Sequence, residues 1–121
     1  MYVDGFVVPV KRHRIEDYKT IAKNMADLWV KHGALPVVEA MGDAVPLGEV
    51  TSFPIAVKLE PDEVVFFSWI TYADRATRDR VNALVMAESG PAMTELFEND
   101  PPMSPKRMIW GGFTPILHVT P

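Results

Sequence analysis

Two carboxylates fall where strand alternation could carry them into an enclosed space. Asp4 lies in YVDGFVVPV, residues 2–10, whose Val, Tyr and Phe content reads as a β-strand. Alternation splits this run into Tyr2, Asp4, Phe6, Val8 and the opposing Val3, Gly5, Val7. Gly5 would let a helix approach closely, so Asp4 and Phe6 are expected to face away from the helices. Glu39, in ALPVVEAM at 34–41, has the same standing. A carboxylate in a dry cavity has a raised pKa and can serve as general acid or base. The competing reading is a strand-end carboxylate, paired or solvated. In an antiparallel register Asp4 would lie nearer His118 than Arg107.

Other chemistries find little footing. His13, His32 and His118 are scattered, with no HExxH and no i, i+4 pair, so no metal is expected. His32 closes a helix in Trp29-Val30-Lys31-His32-Gly33, where capping of carbonyls and dipole is the simpler role. There is no phosphate-cradling glycine loop, and Ser52, Ser68 and Ser89 lack a GxSxG context. The chain has no cysteine, which excludes thiol nucleophiles and disulfides and fits a reducing, cytoplasmic setting. Lys and Arg total 12 against 16 Asp and Glu, a net charge of -4, which argues against nucleic-acid binding. The run Lys11-Arg12-His13-Arg14 is short enough to be a solvated loop. No apolar stretch approaches a bilayer span, and the N-terminus does not read as a signal peptide.

The elements that would position these residues follow from periodicity. At 121 residues, with 48% in the hydrophobic set, one domain with a real core is expected over 1–121. In 14–32, Ile15, Tyr18, Ala22, Met25, Trp29 and His32 recur at helical spacing, with Glu16 and Asp17 early, Lys31 and His32 late, and Gly33 as a left-handed stop. After the strand at 34–41, residues 50–59 suggest a short extra strand, its Pro54 marking an edge or bulge. VVFFSWITY at 64–72 is the strongest strand, uncharged on both faces. Asp74 is a candidate N-cap for a helix at 75–88. Val81, Leu84, Val85 and Glu88 share one side of it, while Arg75, Arg78, Asp79 and Asn82 lie elsewhere. Ser89-Gly90-Pro91 would restart a short helix at 91–98, and 107–118 would form the last strand.

The order β-α-β-(β)-β-α-β predicts an α+β fold: a ferredoxin-like antiparallel sheet with helices on one face. The other face is then uncovered. The strand at 64–72 is apolar on both sides, and Trp110 and Phe113 project to opposite sides of the last strand. A patch of this size calls for a partner, and a second copy of the chain is the commonest one. The expectation is a homodimer with sheets face to face, a barrel-like core and room for a small molecule, or a packed interface with none.

MYVDGFVVPV, WVKHGALPVVEAMGDAV, GEVTSFPIAVKL, FSWITYADRATRDRVNALVMA and KRMIWGGF together resemble the bacterial YbaA-like family of unknown function, over nearly the whole chain. The resemblance implies a dimeric α+β barrel, a superfamily that also holds antibiotic-biosynthesis monooxygenases and haem-degrading enzymes. Haem degraders there use a strand Asn, a strand Trp and a helix His. Here Trp69 sits on a comparable strand, but 75–88 has no His and the first strand has Asp4 in place of Asn, so haem degradation is not expected and no cofactor is implied. Cofactor-free monooxygenases can pair Trp with Arg, which Trp69 with Arg78 or Arg80 would loosely match; the alternative is a core tryptophan and solvated helix arginines. The candidate ligand-binding set is therefore Asp4, Phe6, Glu39, Trp69 and Arg78, with Asp4, Glu39 and Trp69 as candidate catalytic groups. The readings left open are a homodimer binding a small hydrophobic molecule, a cofactor-independent monooxygenase- or isomerase-like enzyme, and a purely structural dimer.

Overall fold

A computed structural model describes residues 1–121. Strand β1 (Tyr2–Lys11) runs through a 3-10 turn at Arg12–Arg14 into helix α1 (Ile15–His32). Then come β2 (Val37–Met41), a one-turn helix α2 (Phe53–Ala56), β3 (Glu63–Tyr72), helix α3 (Arg75–Glu98) and β4 (Ile109–Phe113). The strands form one antiparallel sheet in the order β2-β3-β1-β4. The two longest strands, β1 and β3, are central and pair over ten positions from Tyr2–Tyr72 to Lys11–Glu63.

Local sequence accounts for most boundaries. Gly33 ends α1 at a φ of 121°, and the backbone N–H groups of Gly33 and Ala34 bond the Val30 and Trp29 carbonyls. Only a residue without Cβ holds such a φ without strain. Asp74 caps α3 by accepting the Thr77 N–H at 2.7 Å. β2 begins later than expected because Pro36 has no N–H for the ladder; its carbonyl instead accepts the Thr71 N–H. β4 stops before Pro115, short of the expected end at 118.

Two expected elements differ. The stretch 50–59 holds α2 in place of an edge strand: the Ser52 hydroxyl accepts the Ile55 N–H at 3.1 Å, and Pro54 occupies the first helical turn, where its missing N–H costs nothing. The helices at 75–88 and 91–98 are one continuous α3 with Pro91 inside it. Proline removes one main-chain bond, and the Ser89 hydroxyl donates to the Val85 carbonyl at 2.7 Å just before it.

Both long helices pack on one face of the sheet. Tyr2, Ile70 and Tyr72 meet Val81 and Val85 of α3, with Leu28 and Trp29 of α1 alongside. Val8, Val10, Val64 and Phe66 meet Tyr18, with Ile21 and Ala22 behind it. Val81 and Val85 are fully buried, and each contributes about 1.5–3 kcal/mol over an exposed side chain. This inverts the expected assignment of β1: the series Tyr2, Asp4, Phe6, Val8 faces the helices, and Val3, Gly5, Val7 faces away. The closest neighbour of a side chain on Gly5 would be the Phe113 ring, at 3.7 Å, and not a helix.

The face away from the helices is half covered. Val7 and Val65 pack against Val57, with Val45 and Leu59, from the segment linking β2 to β3. Beyond that cover Phe67 is 43% exposed, Ile109 45% and Phe113 63%. Trp110 stacks on Phe6 on the helix side at 6.5 Å, so Trp110 and Phe113 do project oppositely. No helix is long and apolar enough to cross a membrane.

Candidate functional site

The candidate residues do not converge on one site. They divide into two clusters on the helix side and one on the open side.

The first cluster centres on Asp4, whose side chain is 2% exposed. Arg78 projects from α3 and donates from Nε to both carboxylate oxygens at 3.1 Å and from Nη2 to Oδ1 at 3.0 Å. The Tyr72 hydroxyl donates to Oδ2 at 3.1 Å. Asn82 lies beside Tyr72 and accepts the Trp29 indole N–H at 3.1 Å. The guanidinium also lies over the Tyr2 ring, 5.3 Å from its centre. Burial and the neighbouring Asp4 charge push the Tyr72 phenol well above its ordinary value, and the Asp4 bonds hold Arg78 firmly protonated. Arg78 is thus not a solvated helix arginine: its side chain is 15% exposed. No buried side-chain polar atom in the chain lacks a partner. An acid whose oxygens are occupied by a fork and a phenol is a clamp between sheet and helix, not a free general base. The expectation that Asp4 lines a cavity away from the helices is therefore corrected. Its opposite number on β4 is Gly112, while Arg107 sits at the far end of the sheet, bidentate to Glu63 at 2.7 and 2.5 Å.

The second cluster joins α1 to the edge strand β2. Glu39 also faces the helices, where the Tyr18 hydroxyl donates to it and Ser68 lies opposite it on β3. Partial burial raises the Glu39 pKa, against the lowering effect of the Tyr18 and Ser68 hydroxyls beside it; burial followed by the Glu39 charge drives the Tyr18 phenol far up. Both groups line a groove of about 670 Å³ between α1 and β2.

Trp69 belongs to the third cluster, on the opposite face from Asp4 and Glu39. Across the sheet it opposes Gly5, which opposes Gly111. The Phe113 ring lies over the two glycines, 3.7 Å from where a side chain on either would begin. Phe67 packs against Trp69 at 5.5 Å and against Phe53 of α2 at 5.8 Å. The Phe113 ring thus fills the space above the two glycines, and Trp69, Phe67 and Phe113 form an aromatic patch on this face. Between Val3 and Pro9 and between Val65 and Thr71, this face carries no charged side chain.

Tyr18, Tyr72 and Asn82 were not apparent as site residues. A signal did exist for α3: Arg78, Asn82 and Val85 recur at spacings of four and three, on the face that Val81 buries. No three His, Asp or Glu side chains cluster as a metal site would require. His32 bonds Glu88 of α3 at 2.8 Å, tying the two helices together instead of capping carbonyls.

The family described as "Protein of unknown function (DUF1428)" matches residues 1–105. The chain belongs to the DUF1428 family. "Uncharacterized protein YbaA" of Escherichia coli strain K12 is 44% identical over 116 residues, covering 96% of this chain and 97% of that protein, and YbaA of Shigella flexneri matches to the same extent. Among solved structures, "De novo designed protein Foldit4" superposes with a TM-score of 0.50 at 14% identity, over 94% of this chain and 97% of that one. That likeness concerns the fold alone. For this DUF1428 chain, the site chemistry has to come from its own residues.

Proposed function

We propose that the protein is a cytoplasmic homodimer of ferredoxin-like subunits whose open sheet faces meet, as in a dimeric α+β barrel, and that it binds a small, flat apolar molecule between them. The observation that carries this reading is the uncharged aromatic patch of Trp69 and Phe113 over Gly5 and Gly111, with Phe67 and Ile109 exposed beside it.

The accessible surface supports it. The isolated chain exposes 7851 Å², whereas a folded monomer of its mass exposes about 6,500 Å². The excess, on the order of 1,300 Å², is shared between this face, where Phe113 is 63% exposed, and the extended tail, where Ile116 is 98% exposed. Pairing by a two-fold axis would place each Phe113 and Trp69 against the same face of the partner. An apolar patch without an acid or base favours binding over turnover, because the Asp4 and Glu39 clusters lie on the far side of the sheet.

Binding of 1-naphthol, followed by indole fluorescence, tests this reading. The expected result is saturable quenching that Trp69→Leu removes and Trp110→Leu leaves in place. Quenching that survives Trp69→Leu and is lost with Trp110→Leu would refute it.

A further inference from the structure

We propose that the C-terminal arm, residues 114–121, docks on the partner subunit, against the segment that covers half of the open sheet face. The inference rests on the homodimer proposed above and fixes how its two copies are turned. Two stretches of the chain hold apolar side chains in solvent beyond the sheet itself. One is the arm, where Ile116, Leu117 and Val119 are almost wholly exposed. The other is the segment linking β2 to β3, where Leu47 and Val50 are equally bare and Phe53 and Ile55 of α2 are half-exposed. Apolar groups gathered in this way mark a contact surface, and each gains from being covered.

Within one chain the two stretches are held apart. The linking segment packs on Val7 and Val65, at one end of the central strands. β4 runs away from it, from the level of Val7 to that of Val3, and ends at Phe113. Val3 pairs with Thr71, six positions along β3 from Val65, a separation of about 20 Å. Pro115 and Pro121 lack the N–H that a ladder needs, so the arm is suited to docking through its side chains and not as an added strand.

A second copy brings them together. Sheets packed face to face in the aligned mode keep their strands within about 30° of each other. A two-fold axis between them then runs either nearly along the strands or nearly across them. An axis along the strands would put both linking segments at the same end. The sheets lie only about 10 Å apart, and two such layers do not fit between them. An axis across the strands sets each linking segment beyond the Phe113 end of the partner's sheet, where the partner's arm begins, and lets the open halves around Trp69 meet. A depression of about 240 Å³ between Val45 and Phe53 of the linking segment and Phe67 of the sheet offers a seat for an arm side chain. It is smaller than the roughly 300–1,000 Å³ of small-molecule sites and suits one aliphatic group.

Thiol cross-linking of the full chain provides the test, because the chain has no cysteine of its own. Val50→Cys and Leu117→Cys, both at exposed positions, are treated with a short bis-maleimide, each alone and co-expressed together. The expected result is a covalent dimer from the co-expressed pair and none from either variant alone. Self-linking of Val50→Cys would place both linking segments at one end and overturn the proposal. So would a protein that light scattering shows to be dimeric but whose co-expressed variants do not link. A monomeric mass would overturn the dimer and this arrangement together. Ile116→Asn/Leu117→Asn, which changes only side chains that the single chain leaves in solvent, should raise the dimer dissociation constant at least about tenfold. An unchanged constant would count against the docked arm while leaving the dimer standing.

Discussion

Replacing Arg78 with methionine keeps most of the side-chain stem but removes the fork that holds Asp4. The carboxylate, 2% exposed, then loses the Nε and Nη2 donors at 3.0–3.1 Å and keeps only the Tyr72 hydroxyl. Stripping one partner from a buried ion pair costs about 3–5 kcal/mol. Arg78 retains 15% exposure, so water can partly replace it, and the lower end, about 3 kcal/mol, is expected. For a chain of this size that lowers Tm by roughly 12 °C. Arg78→Lys restores the charge but not the fork and should recover part of the loss. The double variant Asp4→Leu/Arg78→Met removes the stranded charge and should be more stable than Arg78→Met alone. Urea unfolding at fixed protein concentration, followed by circular dichroism and indole fluorescence together, measures all four proteins. A loss below about 0.5 kcal/mol for Arg78→Met, the size of an ordinary surface substitution, would refute the view that Asp4 and Arg78 clamp α3 to the sheet.

Two glycines predict opposite outcomes for the same substitution. Gly112→Ala should destabilise by about 1–3 kcal/mol, because its methyl group would lie 2.8 Å from Arg78 Nη2 and from the Tyr2 ring. Gly90→Ala, with nothing within 4 Å, should stabilise α3 by roughly 0.5–1 kcal/mol; equal unfolding midpoints for the two variants would contradict both expectations. Hydrogen bonds from Arg107 hold Glu63 below its ordinary value of 4.5. A carboxylate with a lowered folded pKa contributes stability that is complete above 4.5 and is lost as pH falls through the folded value. Wild type should therefore lose Tm more steeply below pH 4.5 than Arg107→Gln, and parallel Tm profiles would count against the pair.

Some of this architecture is legible in the residues, and some is not, for physical reasons. The helical stripe of α1, its Gly33 stop, the Asp74 cap and the two long central strands follow from local rules and are present. Alternation divides β1 into two series, but it does not say which one meets the helices when both are apolar. Asp4 made its own series look like the less buried one. Its partner lies 74 positions along the chain on α3, and no local pattern announces so distant a neutralising charge. Gly5 looked like a landing place for a helix and is instead the floor beneath Phe113. The stretch around Pro54 has strand-like composition, but one Ser52 cap turns it into a helix. The Glu39 environment depends on Tyr18, which reads from sequence simply as a core residue of the stripe. Family membership over nearly the full length was also visible, because long blocks match where short motifs are silent.

The claim on which the account turns is that the uncovered sheet face is an interface between two copies. Static light scattering on the purified chain at micromolar concentration tests it most directly. The account predicts a mass of about 27 kDa, twice the 13.5 kDa of the chain, reduced toward the single-chain mass by Phe67→Asp, which would place an unpaired charge at the centre of the face. A homogeneous 13.5 kDa species for the unmodified protein across that range would contradict it.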